Sequence, residues 1–295
     1  MGQDPNGNIA LERMQYIVHR GSPRFVGAVG AMKVVQLIDS GEPVGTIVLQ
    51  AEKSAELAEG IVRLARSPLY ERAEVKTLEA AVEFLGYDEL RRAMLTLAIS
   101  CWAEECPVSG AYDPFAFRRR AVSHALLADA IAKRLKLAEP TKYFVAGMFS
   151  DVGYMFIALH IPFVIDHIAL TKSRTPNVPL RECEERCLGF AHSDLSAVAC
   201  KEFSLGEDVT EAIRFHHEPS YAPEGSKVIA DVVHVSSYML DRIDVLPVKS
   251  LPVAPVDASA YSRIGLHPDD VSVLEEQVLQ RADEFLSAVR TSIAA

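Results

Sequence analysis

The sequence predicts an all-α protein. Apolar residues recur at steps of three and four along most of the chain, the spacing of one helix face. Alternation with period two is scarce, and the strand-joining turn pair Asn-Gly occurs only near the terminus, at Asn6-Gly7. Residues 1–23, with Gly2, Pro5, Gly7 and Gly21, read as a flexible lead holding one short helix. Residues 24–106 read as an N-terminal helical subdomain. Its stripes are Leu57, Ile61 and Leu64, then Leu78 to Phe84 and Leu90 to Trp102, with Gly86 between the last two. Cys106-Pro107-Val108-Ser109-Gly110 is a linker signal.

A second subdomain is expected over residues 111–245, with helices near 114–137, 141–160, 180–188, 193–203, 207–217 and 226–242. Pro247, Pro252 and Pro255 then mark an extended linker. After His267-Pro268-Asp269 the apolar positions Val271, Leu274, Val278, Ala282, Phe285 and Val289 predict a final amphipathic helix. Such a stripe must bury itself, so it is expected to pack back on the chain.

Composition excludes several classes of function. The net charge of −10 and pI near 5.4 argue against binding to nucleic acid or an anionic membrane. Arg118-Arg119-Arg120 is the one basic cluster, and it reads as a solvated helix face. The apolar stretch from Val152 to Leu170 is broken by His160, Pro162, Asp166 and His167, which argues against a membrane helix. The N-terminus lacks the pattern of a signal peptide, so a cytoplasmic protein is expected. Five cysteines without a CxxC pair read as reduced thiols.

The chemistry lies in ionisable residues on apolar stripes. Phe117, Ala121, His124, Ala128, Ile131 and Leu135 form one helix face, so His124 occupies a core position. Phe144, Met148, Asp151, Met155 and Ala158 turn Asp151 inward by the same count. A lone carboxylate there costs several kcal/mol unless it is paired, protonated or bound to metal. His192, His216, His217 and Asp231 lie in or beside similar segments. Histidines and carboxylates converging in a helical bundle are the makings of a metal site. Each also has a plainer structural reading: His124 as a core histidine bonded to a carbonyl, Asp151 as a buried hydrogen-bonding group, and His216 or His217 as a helix-ending residue.

Four motifs, in order, resemble the HDOD domain, a relative of the HD-type metal-dependent phosphohydrolases. Val62 to Tyr70, with Arg66-Ser67 inside it, resembles the family's leucine-rich segment, and Leu78 to Gly86 its "sl..Ai..LG" segment. Ala146-Gly147-Met148-Phe149-Ser150-Asp151-Val152-Gly153 is similar to "aGLLHDiG", and His216-His217-Glu218-Pro219 to "HH.P". The resemblance covers about residues 24–245. It implies that His124 stands for the first metal-binding His and Asp151 for the Asp of the His-Asp pair. By the same resemblance His192, His216 and His217 are the second-metal histidines and Asp231 the distal Asp. Ser150 replaces the pair's His, Tyr154 replaces a Lys that contacts substrate phosphate in many active members, and no Gly-Tyr-Pro follows Pro219.

These departures lead to an expected function: a regulatory HDOD module that binds a signalling protein or a small acidic ligand without turnover. A metal-dependent phosphohydrolase acting through the six residues is the first rival, and a binding module for an acidic second messenger the second. The expected cofactor is one transition-metal ion (iron, zinc or manganese), because imidazole suits these ions whereas calcium prefers six to eight oxygens. Asp151, His192, His216 and His217 are its expected ligands, since the gap at Ser150 empties the other half of a two-metal site.

Overall fold

The computed structural model describes residues 5–21, 26–70, 74–249, 251 and 256–293. Among the described residues every regular element is a helix. Two compact units emerge, one of Met1–Ser22 with Glu105–Val278, the other of Pro23–Glu104 with Leu279–Ala295.

The chain begins with α1 (Pro5–Gly21). Four helices of the second unit follow: α2 (Val26–Asp39), α3 (Val44–Ala51), α4 (Ala55–Ala65) and most of α5 (Leu78–Glu105). α4 is capped by Ser54, whose hydroxyl accepts from the Leu57 amide at 3.3 Å. Its stripe of Leu57, Ile61 and Leu64 is buried. α5 is two helical stretches broken at Gly86, whose φ of 70° lies where side-chain-bearing residues are strained.

The first unit continues with α6 (Pro114–Arg134), α7 (Pro140–Phe149), α8 (Val152–His160) and α9 (Pro162–Arg174). Then come α10 (Leu180–Leu188), α11 (His192–Glu202), α12 (Glu207–Arg214), α13 (Glu224–Arg242), α14 (Ala258–Ile264) and the start of α15 (Pro268–Ile293). Asp113 caps α6, accepting from the Phe115 and Ala116 amides at 2.9 and 3.2 Å, with Pro114 in the first turn. Such a cap contributes about 1 kcal/mol.

Three expectations need correction. The lead is helical from Pro5 to Gly21 and packs on α8 and α11, because Met14 and Val18 lie one turn apart and bury there. The helix expected over 141–160 is two helices, interrupted at Asp151, whose φ and ψ of −101° and 4° leave the helical region. By composition Pro140–His160 matches a membrane span, but it is interior, with 89% of its apolar window buried. The arginine cluster is not a solvated face. Arg118 and Arg120 are buried, Arg118 over the Phe115 ring, because α6 is enclosed on nearly every side and the two point in opposite directions from its axis.

The Pro-rich segment is only partly described. Pro252 and Pro255 lie outside the described residues. On its nearer side Lys249 donates its amide to the Ala111 carbonyl at 2.8 Å. On α15, Val271, Val278, Ala282, Phe285 and Val289 are buried as the stripe requires, and Leu274 is half-buried. None of the five cysteines is in a disulfide.

Candidate metal centre

Close backbone approach builds this site. α7 can lie on α6 because Gly147 has no side chain: a Cβ there would stand 2.7 Å from the His124 carbonyl oxygen. Gly153 does the same for α8 and α11, where a Cβ would meet the His192 carbonyl oxygen at 2.2 Å. The break between α7 and α8 places Asp151 at that junction. His192 opens α11, where Asp194 accepts from the Ala191 amide at 3.3 Å and pairs with Arg181 at 2.8 Å. His216 and His217 follow the end of α12.

Four of the six expected residues converge. Ligand atoms of Asp151, His192, His216 and His217 all lie within 4.8 Å of one another. Asp151 Oδ1 is 3.6 Å from His192 Nε2 and 3.7 Å from His216 Nε2, and His217 Nε2 is 3.1 Å from His192 Nε2. The outer nitrogens are tied back. His192 Nδ1 donates to Glu184 at 2.7 and 2.9 Å, and His216 Nδ1 donates to the Ile213 carbonyl at 2.7 Å. Both rings therefore turn Nε2 inward. A carboxylate behind a histidine sets its tautomer and raises its basicity as a ligand. His216 Nε2 is buried without a hydrogen-bond partner, an arrangement that costs about 1–3 kcal/mol unless something binds it. This donor set, three imidazole nitrogens and one carboxylate oxygen, fits a transition-metal ion.

The other two residues are engaged elsewhere. His124 donates from Nε2 to the Val233 carbonyl at 3.0 Å, with Ser236 Oγ also at 3.0 Å, and accepts from the Ser150 hydroxyl on Nδ1 at 3.0 Å. That is the plain reading of a core histidine, with Ser150 filling the place of the missing imidazole. Both oxygens of Asp231 are taken by Arg263, at 2.5 and 2.8 Å.

Charge at the site follows from these partners. Burial pushes the Asp151 carboxyl up, but the Arg120 guanidinium and the neighbouring histidines outweigh it and hold it well below the usual carboxylate range. Burial works against a charged His192, yet Glu184 and Asp151 raise it to about 9. Burial lowers His216 to about 4, and burial together with Arg120 lowers His124 to about 3.

Sequence reasoning missed Arg120, Glu184 and His234. Arg120 is 1% exposed and bonds Asp151, Asp241, Ser237 and the Val245 carbonyl. Glu184 is fully buried and holds the His192 ring, the His192 amide and the Tyr154 hydroxyl. Tyr154 stacks on His192, ring centroids 4.3 Å apart. His234, given no weight from sequence, donates to the His216 carbonyl at 2.8 Å and accepts from the Asp257 amide. A signal existed for two of them. Arg120 is one turn before His124, and Glu184 shares a face with Leu180, Cys183 and Cys187.

Asp151, His192 and His217 line a cavity of about 30 Å³, bordered also by Arg120, Tyr154 and Asp241 and by Leu246, Pro247 and Leu251. A much larger one, about 720 Å³, lies among α1, α8, α9 and α10 and includes none of the six.

Comparison with known proteins follows this geometry. The sequence matches the HDOD domain family over residues 32–219, a span that contains the four converging residues and Arg120 but ends before Asp231 and Asp241. No curated protein matches. An HDOD domain protein of unknown function from Geobacter sulfurreducens superposes with a TM-score of 0.66 at 21% identity, covering 96% of this chain and 99% of that one. A Marinobacter aquaeolei VT8 protein described as acting in signal transduction gives 0.69 at 19%, covering 90% and 59%. A Shewanella amazonensis SB2B protein described as a phosphohydrolase gives 0.67 at 19%, covering 95% and 97%. At these identities the likeness establishes the fold.

Proposed function

Because this chain belongs to the HDOD family, we propose that it is a non-catalytic regulatory module. In this reading its helical core is pinned by one transition-metal ion on Asp151, His192, His216 and His217. The observation that carries the reading is the space beside those ligands. About 30 Å³ admits a water molecule, whereas pockets for small molecules run to roughly 300–1,000 Å³. A nucleotide or a cyclic dinucleotide exceeds that space, which favours a signalling protein over a small acidic ligand at these residues. Two residues of active relatives are replaced: Ser150 stands for the metal-binding His of the pair and bonds His124, and Tyr154 stands for the Lys that contacts substrate phosphate and bonds Glu184.

When bound, the ion would supply a fixed charge. It would join the α7–α8 junction, the start of α11 and the turn after α12. Its second sphere already exists in Glu184, the Ile213 carbonyl and the stacked Tyr154. Iron, zinc or manganese suits the three nitrogens, and calcium does not.

The test is elemental analysis of protein purified without chelator, paired with an assay on bis(p-nitrophenyl) phosphate. The expected result is one transition-metal ion per chain and no hydrolysis above background. Absence of any ion after loading would make the cluster a hydrogen-bond network. Robust metal-dependent turnover that Asp151→Ala abolishes would make the protein a phosphohydrolase instead.

A further inference from the structure

Asp151 is used on both oxygens. Oδ1 faces His192 and His216, while Oδ2 accepts from Arg120 Nε at 3.1 Å. A carboxylate that bridges two cations is arranged in this way, and here one of the two is a side chain. The rest of the guanidinium is also met by oxygen. It donates to Asp241 Oδ1 at 2.8 Å, to Ser237 Oγ at 2.8 Å and to the Val245 carbonyl. Two carboxylates, a hydroxyl and a carbonyl form an oxygen cage of the kind that hard divalent cations occupy. Arginine remains charged at all ordinary pH, so this cation cannot leave by losing a proton.

We infer that Arg120 is a resident cation that takes the place of a second metal ion beside Asp151, and that it limits the site's capacity. Asp241 and Val245 belong to the end of α13 and the segment after it, so the same cation also ties down the chain that borders the small cavity. The inference builds on the metal reading above, but its test is a difference between two proteins and does not need that reading to hold.

Native mass spectrometry of the full chain, titrated with manganese, counts the ions in the parent, Arg120→Ala and Arg120→Lys. Arg120→Ala is expected to take one ion more than the parent, and Arg120→Lys, which keeps a cation, the same number as the parent. Guanidinium ion at low millimolar concentration should compete with the additional manganese in Arg120→Ala and should leave the parent unchanged. If the parent takes no ion, the metal reading fails, while the gain of one ion in Arg120→Ala still supports the inference. Three results would overturn it: equal ion counts in the parent and Arg120→Ala, no competition with guanidinium, or an Arg120→Ala protein that stays unfolded even in manganese. An Arg120→Ala protein that unfolds in plain buffer and folds in manganese supports it.

Discussion

Asp151→Ala is expected to remove the metal and to destabilise the protein by about 3–5 kcal/mol, the cost of stranding a buried charge. Arg120 would keep Asp241, but its Nε would face a void, and the partner of His192 and His216 would be gone. At roughly 2–4 °C per kcal/mol for a unit of this size, the melting temperature should fall by about 10 °C. Asp151→Asn preserves the shape and should show the same loss of metal with a smaller thermal shift. Thermal unfolding with elemental analysis of both variants checks this. A parent-like melting temperature for Asp151→Ala would mean that the Arg120 pairing contributes little.

The second large effect is expected from Gly153→Ala, a single methyl on the face of α8 toward α11. It would stand 2.2 Å from the His192 carbonyl oxygen and 2.9 Å from its carbon, both backbone atoms that cannot swing aside. Overpacking of this kind costs about 3 kcal/mol, the upper part of the usual range. Relief requires α11 to move, which carries the His192 ring away from Asp151 and takes the Ser196 hydroxyl off the Gly153 amide, now 2.8 Å apart. The variant should therefore melt lower and bind less metal. Gly147→Ala, with its closest contact at 2.7 Å, should shift both in the same direction by less. Equal metal content in Gly153→Ala and the parent would show that α11 can yield without moving its first residue.

Much of the fold was legible because long helices advertise themselves. The stripe of α6, the extent of α13, the break at Gly86 and the face of α15 are periodic or involve neighbouring residues. The interruption at Asp151 was not legible, because the apolar count runs on through it, and the backbone departs from a helix only where α8 meets α11. α9 was missed because Pro162, Asp166 and His167 interrupt its apolar pattern, and α14 because seven residues carry too few turns to establish a period.

The site divides similarly. Asp151, His192, His216 and His217 were readable as inward-facing, and the family order grouped them. What His124 and Asp231 bond depends on Ser150, Val233 and Arg263, which are distant in the chain and meet only after folding. A stripe position says that a side chain points inward and not whom it meets. The same applies to Arg120, whose charge suggested solvent when its position suggested the interior.

The hydrogen bond from Ser150 to His124 has a consequence for evolutionary reversal. A histidine at position 150 would need room in a fully buried slot, and the imidazole it should join is already committed to Val233. Removing Arg120 by itself strands two carboxylates. Either change alone thus lowers stability, and residues in contact do not contribute additively. Marginally stable proteins tolerate few such steps. Ser150 and Arg120 thus each hold their neighbours in place, and changing either alone disturbs His124 or Asp151.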